Sequence, residues 1–164
     1  MKAVLLIPFW VAFMLLAPTD GPSGQSRHEA TQTLKAAKGT YSAKFILRRL
    51  ALPKGEVEAW WGGNWDRSGL PTVLTKIEIL HGKKKVFVPA SAWSGVGEVR
   101  AISMTITKAG CELKFQGGDA HSSYRGTLVV KGELVQSRTI RHSEFPNEYF
   151  ETTQYHYVTD DGRE

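Results

Sequence analysis

Three glycine-bearing dipeptides, Gly82-Lys83, Ala109-Gly110 and Lys131-Gly132, stand between segments of alternating apolar and polar residues, and they constrain the fold of this chain more than any other feature. A two-residue hairpin loop fixes the register of its strands, and register decides which side chains share a face. With Gly82-Lys83 as the loop, Ile79 faces Val86 and Ile77 faces Val88, while Glu78 is set against Phe87 and Leu80 against Lys85. With Ala109-Gly110 as the loop, Ile106 meets Leu113 and Met104 meets Phe115. Ser103, Thr105 and Thr107 then fall opposite Gln116, Lys114 and Glu112 on the other face. With Lys131-Gly132 as the loop, Leu128 meets Val135 and Tyr124 meets Thr139. The second face of that hairpin sets Arg125 against Arg138, Thr127 against Gln136 and Val129 against Leu134. Helical segments would not segregate side chains this way, so the pattern predicts an antiparallel β-meander.

The flanks extend the sheet. Tyr41 to Leu52 is rich in strand formers and stops at Pro53-Lys54-Gly55, and Glu148 to Val158 is dense in aromatic and threonine residues. The expected fold class is mainly β: a meander curling into a lipocalin-like half or closed barrel of about seven or eight strands. One short N-terminal helix is expected over residues 28–38, where Ala30, Leu34 and Ala37 make a narrow apolar stripe and Gly39 stands at the stop. A helical turn is expected near Ala90 to Trp93.

The run Ala3 to Leu16, introduced by Lys2 and closed by Ala17-Pro18, is too short for the ~20 apolar residues of a membrane span and reads as the core of an export signal. The layout is therefore a signal peptide over 1–23, a linker and short helix over 24–40, one β domain over 41–158 and an acidic tail over 159–164. The mature form is expected to be periplasmic or secreted and to lack a membrane span. Cys111 is the only cysteine, so no intramolecular disulfide is possible and stability must come from packing.

A net charge of +5 points to anionic partners. Seven basic residues lie between Arg27 and Lys54 against the single acid Glu29, and six acids lie between Glu144 and Glu164 against Arg163. Such an asymmetry either binds an anionic polymer or is satisfied within the fold.

Two local compositions are candidate sites. Trp60, Trp61 and Trp65 crowd a glycine-bearing loop with Asn64 and Asp66. Such a loop is either a stacking platform for a glycan or protein, or a plug at the end of a barrel. Residues 117–125 gather Asp119, His121, two serines and Tyr124. They read as an acid-base pair around Asp119 and His121, completed by Tyr124, His142 or Glu144, or equally as a turn in which Asp119 binds backbone amides. Arg125 and Arg138 form the third candidate. As like charges set opposite each other, they call for an acid (Glu144, Glu148 or Glu151) or an anionic ligand between them.

The five histidines show no metal-ligand spacing, and neither a nucleophile elbow nor a phosphate loop is present. The expectation is an exported non-enzymatic binding or inhibitor module for an anionic polymer, a glycan or an envelope protein. It is expected to need no cofactor or metal and to bind no specific nucleic acid. The alternative is a small hydrolase or lyase using Asp119 and His121.

Overall fold

The computed structural model describes residues 31–49, 61–62, 71–119 and 121–158. The expected signal peptide, the start of the linker and the acidic tail lie outside the described residues. Within them the chain is mainly β. The strands are β1 (Thr31–Lys38), β2 (Tyr41–Arg49), β3 (Thr72–His81), β4 (Lys84–Lys85), β5 (Val99–Thr107), β6 (Gly110–Gly117), β7 (Tyr124–Lys131), β8 (Leu134–His142) and β9 (Phe150–Gln154). A single 3-10 turn, Ala90–Ala92, sits where the helical turn is expected.

The strands form two antiparallel meanders, β1-β2-β3-β4 and β5-β6-β7-β8-β9. Their inner faces share one core. Phe45 and Phe115 meet across it with ring centroids 5.6 Å apart, and Leu47, Leu74, Leu113, Leu128, Val135 and Ile140 are shut off from water. At one seam β1 lies beside β5. At the other, the chain leaves β4 and Phe87 joins the second sheet: its N–H donates to the carbonyl of Glu133 at 2.7 Å and its carbonyl accepts from Val135 N at 3.4 Å. These stitches do not amount to a closed barrel, which corrects the barrel expectation. β4 is only two residues long, and the 3-10 turn follows at once after Pro89, which has no N–H to give a ladder.

The helix expected over 28–38 is also corrected, because residues 31–38 are a strand. Alternation overrides the stripe of Ala30, Leu34 and Ala37: Leu34 and Ala36 turn inward, half-buried, while Thr33, Lys35 and Ala37 face water. Gly39 does not stop a helix. With φ at +57° it opens the two-residue turn Gly39-Thr40 between β1 and β2.

The turns explain which registers hold. Gly39, Gly82 and Gly132 each occupy the first loop position with φ near +60°. Their followers Thr40, Lys83 and Glu133 stay at negative φ, the signature of a type II′ hairpin. Gly82-Lys83 is therefore the first loop as expected, with Leu80 opposite Lys85. Val86 N donates to Ile79 O at 2.9 Å. The pairing ends there, and Phe87 goes to Leu134 instead of Glu78.

The other two loops are Lys108-Ala109 and Gly132-Glu133, so both expected registers shift by two residues. Met104 opposes Leu113, Ile106 opposes Cys111 and Ile102 opposes Phe115. A shift of two preserves faces, so the apolar and polar sides of this hairpin stay as expected. Gly110 belongs to the strand: a Cβ there would sit 2.0 Å from the Val130 carbonyl oxygen, so only glycine fits.

In the third hairpin the shift is compounded by a bulge at Val129/Val130. Leu128 opposes Arg138, Thr127 opposes Thr139 and Arg125 opposes Arg141. Arg125 and Arg138 are therefore not neighbours. Arg138 points into the core and Arg125 points away from it, which refutes the expected pair.

Candidate functional site

The outer face of the first sheet carries a concave surface. Because side chains alternate along a strand, the residues that do not enter the core form rows across the sheet. One row runs Lys35, Lys44, Glu78 and the next Ala37, Ser42, Leu80, Lys85. Lys76 stands beside Ile46 in the row below. Together with Phe87 these residues line a groove of about 980 Å³.

Four lysines thus share this face with one carboxylate. Lys76 Nζ is 2.7 Å from Glu78 Oε1 and Lys44 Nζ is 3.7 Å from Oε2. The hydrogen bond and charge of Lys76, helped by Lys44 and Lys85, hold the Glu78 carboxyl below its ordinary range. Lys35 stands directly across from Lys44 with no acid of its own among the described residues. The floor is apolar: Leu80 and Phe87 are both exposed, Phe87 to 58%. Lysine ammoniums are mobile point charges with strong hydration, so such a face attracts anions without imposing one geometry.

The sequence reading missed this site. Assigning 28–38 to a helix removed Lys35 from the sheet, and the other lysines come together only once the register of β1, β2 and β3 is known.

Of the expected site residues, Arg138 is structural. It is 3% exposed. Its guanidinium donates to the carbonyls of Ser91 (2.6 Å) and Ser94 (2.8 Å) and pairs with Glu151 at 3.0 Å. The acid expected near the arginines is therefore Glu151, and it answers one of them. Glu151 Oε2 also accepts from the indole N–H of Trp61 at 3.0 Å. Trp61 is half-buried against the core, its ring 6.3 Å from that of Tyr124. Trp60 and Trp65 lie outside the described residues.

Around residues 117–125 the turn chemistry is visible. Ser122 Oγ donates to Asp119 Oδ1 at 2.8 Å and Ser122 N to the Asp119 carbonyl at 3.1 Å. His121 is exposed, and its carbonyl lies 2.9 Å from His142 Nε2. His142 Nδ1 faces the N–H groups of Glu144 and Phe145, both at 3.2 Å, so Nδ1 is the acceptor and Nε2 carries the proton. Tyr124 Oη donates to the Gly97 carbonyl at 2.7 Å. Its phenol is pushed above its usual range by burial and by the nearby Glu98 carboxylate. Tyr124 and His142, two of the groups named as companions for Asp119 and His121, thus have structural partners of their own.

Cys111 is fully buried, and desolvation pushes its thiol up to about 11, so it rests as a neutral thiol in the core. Among the described residues no helix is long and apolar enough to cross a membrane, and no group of three or more histidine, cysteine or acidic side chains could hold a metal ion. The chain matches no family model, no curated protein and no solved structure.

Proposed function

We propose that the chain is an exported, non-enzymatic binding or inhibitor module that takes an anionic glycan polymer on the outer face of its first sheet. The observation that carries the reading is the groove of about 980 Å³ lined by Lys35, Lys44, Lys76 and Lys85 with the lone acid Glu78 and an apolar floor. Neighbouring strands lie ~4.8 Å apart, so lysines on adjacent strands, such as Lys35 and Lys44, offer a repeated charge that suits a repeated anion. Leu80 and Phe87 supply surface for the apolar faces of sugar rings. The groove lies outside the core, so this reading does not depend on the sheets closing into a barrel.

The test is calorimetric titration with a sulfated polysaccharide, a polyuronate and neutral dextran over a salt series. Binding to the charged polymers that weakens steeply with salt, and falls about tenfold or more in Lys35→Glu/Lys44→Glu, is the expected result. Equal binding of dextran, or an unchanged affinity in the double variant, would overturn the assignment.

A further inference from the structure

The second sheet carries an independent feature on its own outer face. Across four strands one row runs Gln116, Arg125, Arg141, Phe150, set by the register of β6 to β9. Arg125 and Arg141 are directly opposed, which brings their Cβ atoms to ~5 Å and makes the pair repulsive unless an anion answers it. Among the described residues no carboxylate is ion-paired with either one. The nearest row adds Ser103, Lys114 and Thr127, and Lys114 reaches its acid, Glu112, only at 3.6 Å. Ser103, Lys114, Gln116, Arg125 and Thr127 line a shallow cavity of about 590 Å³.

One arginine of the pair is held in place. Arg141 lies over the Phe150 ring at 5.0 Å and its Nη1 donates to the Pro146 carbonyl at 3.0 Å. Its position is thereby set before any ligand arrives, which lowers the ordering cost of binding. Arg125 is exposed at the cavity. Two planar guanidiniums, an amide and two hydroxyls make a donor set with few acceptors, and it fits a group with several acceptor oxygens and negative charge.

We infer that Arg125, with Gln116, Ser103 and Thr127 around it in the cavity and Arg141 directly opposite on β8, forms a second anion site that grips a carboxylate or phosphate group of a small ligand. This site is separate from the lysine groove and lies on the other sheet.

The experiment follows the arginine side-chain Nε–Hε resonances by NMR while inorganic phosphate or glucuronate replaces chloride at constant ionic strength. Saturable shifts of Arg125 and Arg141 are expected. A response to both probes assigns a general oxyanion site, and a response to one assigns that chemistry. Lys44→Glu should leave the titration intact, which separates this site from the groove. Arg125→Gln should weaken binding about tenfold or more. Arg125→Glu should raise the melting temperature, because it answers Arg141 internally, and should abolish the stabilisation by added anion. Resonances that move no more with either probe than with chloride, or an Arg125→Glu variant that melts below the parent while still responding to phosphate, would overturn the site.

Discussion

Glu78 sets the charge of the lysine groove, and its ionisation is a lever on that charge. Its folded carboxyl lies below the ordinary value because Lys76 and Lys44 favour the ionised form. The stabilisation from these pairs is complete above the unfolded carboxylate value of ~4.3 and is lost as pH falls through the lower folded value. Protonation also removes the only acid in the groove. Affinity for a sulfated probe, which stays ionised in acid, should therefore rise as pH drops through that range; Glu78→Gln should show the raised affinity already at neutral pH and no further rise. Calorimetry at two pH values checks both. Arg138 is the opposite kind of residue, a buried cation whose worth depends on its partner. Removing the carboxylate in Glu151→Ala should cost roughly 2–3 kcal/mol, and Arg138→Met in the same chain should recover most of it, since an apolar replacement leaves no stranded charge. Urea unfolding of the two variants decides this.

At the scale of the element, the hairpins separate two uses of glycine. Gly82 points its missing Cβ into open space, with φ at +61°. Gly82→Ala should cost ~1–2 kcal/mol for the left-handed backbone alone. Gly126 lies under the Phe115 ring, where a Cβ would come within 2.0 Å of Cζ. Gly126→Ala must move that ring out of the core and should cost more, about 3 kcal/mol or above. On the face assignment, Leu113→Ala should cost ~2–5 kcal/mol and Lys114→Ala under ~0.5. Thermal melts of the four variants rank these effects. The same elements show what was legible. The apolar alternation around Ile77, Met104, Leu113 and Leu128 predicts the meander and the buried faces, because period two needs no knowledge of the partner strand. The registers of the second and third hairpins were not legible from glycine positions alone. Gly110 is demanded by the Val130 carbonyl on a neighbouring strand, a contact that local sequence does not carry. The first strand was misread because Leu34 and Ala37 also fit a helical period, and only pairing with β2 decides between them. The lysine groove and the Arg125–Arg141 pair followed the registers, so neither site could be assembled before the strands were placed.

At the scale of the whole molecule, the two sheets bury one core between them and turn basic faces outward on both sides, with Lys35, Lys44 and Lys76 on one and Lys114, Arg125 and Arg141 on the other. A polyanion longer than one sheet can therefore meet charge on either side of the protein, and each side should bind independently. Arg138 lies between them with a further consequence, one of timing. Its counter-ion Glu151 belongs to β9, the last of the described strands, while Trp61, Ser91 and Ser94, the other members of that cluster, are made much earlier. As the chain is synthesised from its N-terminus, the guanidinium has no carboxylate to accompany it into the core until β9 has emerged. A nascent chain lacking that strand holds an unanswered cation where the second sheet must close, so completion of the core waits for β9.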